Sequence, residues 1–244
     1  MGELIAVVSG KGGTGNTTVC AGVATALAMS GKKVLCMDCD VGLRNLDIAL
    51  AMSDCGAVSF LEVAWGEYDL SDAAKHPLYS TLSFLTAPVR CTANQIPVKK
   101  VEKLLQQARK EFDYVLLDAP AGLEAGFRMA ARYSDRIVLV TGADPASIRD
   151  ASRAGQELRA MGKNNIRIVV NRVDPRILYD MELTVDDIMD KTGLPLLGIV
   201  PEDSNVLFAA VFQEPLLEYT RKGAAAACNR IAGRIKGISV KIPL

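Results

Sequence analysis

Val7-Val8-Ser9-Gly10-Lys11-Gly12-Gly13-Thr14-Gly15-Asn16-Thr17-Thr18 is the stretch from which the rest of the chain can be read. The apolar run Leu4–Val8 leads into it, and apolar residues at helical spacing, Val19, Val23 and Leu27, lead out of it. The order is strand, glycine-rich turn, helix N-terminus. Such a turn aims several backbone N–H groups at one point, and the helix adds the positive end of its dipole there. A phosphate group matches that geometry and charge.

The spacing Gly10-x-x-x-x-Gly15-x-Thr17 is that of a Walker A loop. Gly10, Gly12, Gly13 and Gly15 allow close backbone approach, Thr14 and Thr18 border the same turn, and the Thr17 hydroxyl suits a magnesium ion. One position departs from the pattern. The lysine expected between Gly15 and Thr17 is replaced by Asn16, which can donate a hydrogen bond but cannot neutralise charge. Two other readings of the loop therefore stand beside a working hydrolase: a turn with no ligand, and a nucleotide-binding switch that barely hydrolyses.

Composition sets the outer bounds. The 244 residues, half of them hydrophobic, suffice for one large α/β domain. The 28 basic and 28 acidic side chains cancel, so no global attraction to nucleic acid or anionic lipid is expected. Six cysteines are scattered, no secretory apolar segment precedes the first strand, and no apolar run is long enough to span a bilayer. A cytoplasmic protein is the resulting expectation. Cys36 and Cys39 form a C-x-x-C along a predicted strand, where positions three apart face opposite sides and chelate poorly. His76, the one histidine, lies in a polar stretch beside Pro77 and is expected at the surface.

Strand and helix signals alternate along the chain. Apolar strands are predicted at Leu4–Val8, Val34–Met37, Leu82–Thr86, Tyr114–Leu117, Ile137–Thr141, Ile166–Val170 and Leu197–Val200. Helices are predicted at Thr17–Met29, Val98–Lys110, Leu123–Tyr133, Ala146–Met161, Thr184–Lys191 and Gly223–Lys236. This alternation predicts an α/β fold, a doubly wound, mostly parallel sheet formed by residues 1–244 as a single domain. Ligands of such sheets lie at the carboxyl ends of the strands.

Three further strings end on that rim. Asp38 and Asp40 follow the second strand, where a carboxylate can hold a magnesium-bound water or orient an attacking one. Asp118 closes the run Asp113-Tyr114-Val115-Leu116-Leu117-Asp118 in a Walker B pattern and is placed to share the metal with Thr17. Asn171 carries a donor and an acceptor on one amide, matching the edge of adenine. The segment from Asp144 to Ala151 starts a helix whose charges Arg149, Asp150 and Arg153 make either a partner surface or a solvated face.

Gly-Lys-Gly-Gly-Thr-Gly with Lys11 directly after the first glycine resembles the deviant Walker A loop of the MinD/ParA family of P-loop NTPases. So do Asp38-Cys39-Asp40-Val41-Gly42-Leu43-Arg44-Asn45-Leu46-Asp47 and Asp118-Ala119-Pro120-Ala121-Gly122, both nearer its MinD branch than plasmid ParA proteins. The likeness runs from Ile5 to about Ile235. It implies ATP or ADP with Mg²⁺ as ligands, and an ATP-bound homodimer in which Lys11 reaches the partner's nucleotide. It implies that Asp40 positions the attacking water and shares the metal with Thr17 and Asp118. It also implies that Asn171, Arg172, Pro201, Glu202 and Asp203 hold the adenine. The implied role is placement of the division septum with a MinC-like inhibitor as partner. A ParA-type DNA-segregation ATPase is the alternative, which the neutral net charge does not support.

The C-terminal end carries one more pattern. Ile231, Ile235, Ile238 and Ile242 recur at helical spacing with Arg230, Arg234 and Lys241 beside them, an amphipathic basic arrangement suited to a membrane surface. Gly233, Gly237 and Pro243 disfavour a continuous helix. Residues 237–244 are accordingly read as a C-terminal targeting tail, with core packing as the simpler account of Ile231 and Ile235.

Overall fold

Alternate residues of the first strand enter two different cores. In β1 (Glu3–Val8), Leu4, Ala6 and Val8 pack on one side of the sheet, while Ile5 and Val7 pack on the other. Successive side chains of a strand face opposite ways, so a run without polar residues fits only between two apolar layers. The computed structural model describes residues 1–41, 43–88 and 96–242. Within them β2 (Val34–Asp38), β4 (Leu82–Leu85), β5 (Tyr114–Asp118), β6 (Arg136–Thr141), β7 (Ile166–Val173) and β8 (Leu196–Pro201) join β1 as parallel strands. A two-residue β3 (Ala74–Lys75) adds an antiparallel edge. The order β3-β4-β2-β5-β1-β6-β7-β8 places the carboxyl end of β1 between those of β5 and β6.

Helices cover both faces. α1 (Asn16–Met29), α2 (Leu46–Ala49), α9 (Asn205–Val211), α10 (Leu216–Tyr219) and α11 (Gly223–Ile235) lie over the face of Ile5 and Val7. α3 (Phe60–Trp65), α4 (Val98–Glu111), α5 (Ala125–Tyr133), α6 (Pro145–Ala160) and α8 (Val185–Thr192) cover the other. α7 (Pro175–Asp180) buries none of its residues. Every residue of α1 from Val19 to Ala28 is buried, because α11 closes its outer side; Gly22 lets the Cys228 sulfur approach closely there.

All seven predicted strands are present, and the predicted helices lie within two residues of their observed ends. Five short helices, α2, α3, α7, α9 and α10, were not foreseen. None spans more than seven residues, too few to show a helical period. Cys36 and Cys39 fall in opposite cores as expected, and the five described cysteines are free. Cys91 lies outside the described residues.

One expectation is corrected. His76 is buried, not at the surface. Its Nδ1 accepts from the Leu78 N–H at 3.1 Å, so Nε2 carries the proton and donates to the Leu50 carbonyl at 2.9 Å. The ring satisfies a carbonyl just past α2, and burial lowers its pKa. As its glycines lead one to expect, the basic pattern at the C-terminus does not form one continuous helix. α11 stops at Ile235, where Gly237 takes a left-handed φ of 81° and the Ile238 N–H bonds back to the Gly233 carbonyl. Gly237 N–H to Arg234 completes this helix stop. Ile231 and Ile235 are core residues, whereas Ile238 is exposed.

Candidate functional site

The glycine loop ends in an uncapped helix. Gly15, with φ 85°, is the N-cap residue of α1; no side chain caps the helix and no acid lies in its first turn. The first N–H groups of α1 therefore keep their hydrogen-bonding capacity for an anion. Gly10 and Gly15 are glycines for a second reason: a Cβ at Gly10 would meet the Asp150 carbonyl, and one at Gly15 the Asn171 amide. Loop residues Gly12, Gly13 and Gly15, with Asn16, Thr17, Thr18 and Asp40, line a cavity of about 450 Å³ that continues along α1 toward Ile48, Ala209 and Leu216.

Behind this cavity three carboxylates converge. Asp38 and Asp118 are register partners on β2 and β5, both buried, and Asp40 follows two residues later. Burial chiefly, and then the nearby Asp38 charge, push Asp118 well above the usual carboxylate range; hydrogen bonds from Thr17 and Asn16 oppose this. Asp38 is pushed up to about 6 by burial, although its oxygens accept from the Asp40 N–H at 2.9 Å and the Leu46 N–H at 3.3 Å. Burial also raises Asp40. The Thr17 hydroxyl beside a buried carboxylate that lacks a positive partner among the described residues is a donor set that fits a magnesium ion.

Asn16 faces into the protein. Its Nδ2 donates to the Ala119 carbonyl at 2.7 Å and to Asp118 Oδ1 at 3.2 Å. It ties the loop to the end of β5, and both of its amide protons are engaged there. Lys11 Nζ lies 3.3 Å from Asp144 Oδ1. Asp144 is the N-cap of α6, and its Oδ1 also accepts the Ser147 N–H at 3.0 Å. Although burial works the other way, hydrogen bonds from Ser147 and Lys11 hold the Asp144 carboxyl below its ordinary value.

The side of the rim formed by β7 and β8 is built by an irregularity. The β7–β8 register shifts between Val170 and Val173, which turns Asn171 inward and leaves Arg172 exposed with a left-handed φ of 57°. Asn171 Nδ2 donates to the Thr14 carbonyl at 2.7 Å, which leaves Oδ1 and the second amide proton for a ligand. Arg172 and Glu202 form a forked ion pair at 2.7 and 3.3 Å. Asn171, Arg172, Pro201, Glu202 and Asp203 line a second cavity of about 610 Å³ together with Gly13, Gly15 and Thr18. Asp203 also serves the fold: its carboxylate accepts from the Ala224 N–H at 2.9 Å and the Asn205 N–H at 3.0 Å.

The model of the CobQ/CobB/MinD/ParA nucleotide binding domain matches residues 5–216. The chain belongs to this MinD/ParA family. It is 35% identical over 240 residues to the septum site-determining protein MinD of Synechocystis sp., covering 97% of this chain and 90% of that protein. It is 34% identical over 249 residues to MinD of Bacillus subtilis, covering 99% and 92%. Among solved structures, the MinC:MinD cell division protein complex of Aquifex aeolicus matches with TM-score 0.91 at 33% identity, covering 99% of this chain and 98% of that one. The septum site-determining protein MinD of Pyrococcus horikoshii, complexed with Mg-ADP, matches with TM-score 0.83 at 27% identity, covering 96% of both chains.

For a MinD/ParA family member, three residues matter more here than their sequence context suggests. Asp38 read as a companion of Asp40, yet it is the more deeply buried and organises the following turn through two backbone bonds. Asp144 read only as a helix start before Pro145, yet it holds Lys11. Asn16 read as a weakened phosphate ligand, yet its donors are engaged inside the protein. The pairing of Asp38 and Asp118 was available from their positions at strand ends; the other two contacts had no local signal.

Proposed function

We propose that this chain is a MinD-type ATPase that binds Mg-ATP, pairs with a second copy of itself while ATP is bound, and helps place the division septum with a MinC-like inhibitor. One observation carries the reading: the free N–H groups at the start of α1, Thr17 and Asp40 border one cavity at the carboxyl ends of β1, β2 and β5, and Asp118 lies buried directly behind it. In it, α1 and the glycine loop cradle the phosphates. Thr17 and Asp118 hold magnesium, which when bound supplies charge neutralisation at the transferring phosphate. Asp40 orients the attacking water, and Lys11 leaves Asp144 to reach the partner's nucleotide. Asn171 Oδ1 accepts from the adenine amino group; guanine presents an acceptor at the same edge.

No described helix is long and apolar enough to cross a membrane. Contact with a membrane surface is assigned to residues 237–244 at the inner face of the cell membrane.

Calorimetric titration with Mg-ATP and Mg-GTP, followed by light scattering, tests the reading. ATP should bind at least tenfold more tightly, and Mg-ATP should double the scattering mass. Equal affinities would overturn the adenine assignment, and a monomer at saturating ATP would overturn the switch.

A further inference from the structure

The cavity assigned to the phosphates has no cation of its own. From Gly12, Thr17 and Thr18 to Asp40 on one side and Glu214 on the other, its described lining holds no lysine or arginine, and Asp38 and Asp118 lie buried behind it. Of the basic groups on the adjoining walls, Lys11 is engaged with Asp144 and Arg172 with Glu202, while Arg44, between the lining residues Leu43 and Asn45, is exposed and is not itself part of the lining. Within that lining a polyphosphate meets a carboxylate rather than a positive side chain.

Asn16 sharpens the problem. A backbone carbonyl only accepts, so the amide atom 2.7 Å from the Ala119 oxygen is the nitrogen, which settles the orientation of the side chain. The second amide proton goes to Asp118 Oδ1. The group left on Asn16 is Oδ1, an acceptor that no donor reaches among the described residues. Phosphate oxygens are acceptors as well. Asn16 Oδ1 and a phosphate oxygen therefore meet favourably only through a group between them that serves both, and of the candidates a water satisfies the acceptors while a cation also offsets the charge.

We propose that a monovalent cation, potassium or ammonium, binds between Asn16 Oδ1 and the phosphate oxygens of a bound nucleotide, in the position that the Walker A spacing assigns to a lysine ammonium. The inference rests on the nucleotide reading above. The ligands are a neutral amide carbonyl and phosphate oxygens. Carbonyl oxygens of this kind replace the hydration shell of potassium in selectivity filters. Magnesium is a poor occupant of the same point, because it demands near-octahedral geometry and gives up water reluctantly. Asp118, assigned to magnesium above, is reached by the Asn16 amide nitrogen rather than by Oδ1. Ammonium carries the charge and the N–H donors that Asn16 lacks relative to lysine.

The test measures affinity for a fluorescent ATP analogue with Mg²⁺ by anisotropy, at one ionic strength, in potassium, ammonium or N-methylglucammonium chloride. The wild-type chain should bind at least tenfold more tightly in the first two salts. Asn16→Lys should bind equally in all three, because its own ammonium takes the place. Asn16→Ala should lose the potassium gain. A wild-type affinity indifferent to the cation overturns the proposal, as does a full potassium gain in Asn16→Ala. If Asn16→Lys binds in every salt while the wild type binds in none, the cation site falls and the nucleotide reading stands. If neither binds the analogue in any salt, the nucleotide reading falls and the cation site with it.

Discussion

Lys11 and Asp144, 133 residues apart in sequence, meet at 3.3 Å, so the loop's lysine is held by the N-cap of α6 in its own chain. Their side chains are 42% and 51% exposed. An ion pair this open to water contributes about 0–1 kcal/mol, little enough for a second copy with its nucleotide to displace it. Asp144→Asn keeps an oxygen for the Ser147 N–H and removes the charge. It should shift ATP-dependent association to lower protein concentration by up to about fivefold, read by light scattering. Lys11→Ala should stay monomeric with ATP; a dimer in that variant would remove Lys11 from the interface.

Asn16→Lys should raise ATP turnover. Charge moves during phosphoryl transfer and must be met by fixed donors, and one well-placed donor is worth about 3–4 kcal/mol. Because Lys11 recovers part of this across a dimer, the expected gain is at least about tenfold, or roughly 1.4 kcal/mol in barrier. Turnover unchanged with and without vesicles would mean that Lys11 already supplies the charge.

Stability should fall with rising pH when magnesium and nucleotide are withheld. The folded-state pKa of Asp38 is raised from 3.8 to about 6, so between those values the folded chain holds a proton that the unfolded chain has lost. The native state is favoured at the low end of this window, and the advantage disappears as pH rises through about 6, a change of about 3 kcal/mol for a fully buried carboxyl. Asp118 moves in the same direction. Thermal melts between pH 4 and 7 check this: the melting temperature should decline across that range, and Asp38→Asn should flatten the decline. A melting temperature that climbs steadily to pH 7 in both proteins would contradict the burial account.

α9 presents an apolar surface beside the rim. Leu207 and Val211 are 65% and 67% exposed, with Phe208 and Phe212 beside them, and Val206, Leu207 and Ala210 also line the base cavity. A second copy that closes over the nucleotide would cover this surface. Leu207→Ser combined with Val211→Ser should weaken ATP-dependent association at least tenfold, since each buried aliphatic side chain contributes about 1.5–3 kcal/mol. The melting temperature of the monomer should stay within a few degrees, because neither side chain is in the core. Unchanged association would place the partner elsewhere.

The last segment should matter to location more than to folding. Val240 packs against Gly233 and its carbonyl accepts from Arg234 Nη1 at 3.0 Å, a contact made after the helix has already closed at Gly237. Deleting residues 239–244 should leave Mg-ATP affinity unchanged and reduce cosedimentation with anionic vesicles. Failure of the intact chain to bind such vesicles with ATP present would dismiss the tail as a membrane contact.

The order of residues was enough for the strands, for the doubly wound sheet and for the glycine turn that opens onto α1. These depend on short-range patterns: continuous apolar runs require burial on both faces, and glycine spacing followed by a helical period requires a turn opening onto a helix N-terminus. Cys36 and Cys39 were separable on the same ground, since strand alternation alone sends them to opposite cores. His76 was misjudged because its burial comes from Leu50, 26 residues away, and its polar neighbours said nothing of that carbonyl.

The amino-acid order by itself determined that a glycine turn opens onto a helix N-terminus at the end of the first strand, and that acids from two other strands reach the same rim. Only the tertiary structure decided what Asn16, Lys11 and Asn171 do there. Asn16 turns to Asp118 and Ala119, Lys11 to Asp144, and Asn171 to the Thr14 carbonyl. Each of these partners lies more than a hundred residues from its donor. The physical reason is that a spacing rule states which backbone groups a turn exposes. The direction of a long polar side chain is set by the acceptors that other strand ends bring within hydrogen-bond reach, and those are known only after the sheet has closed.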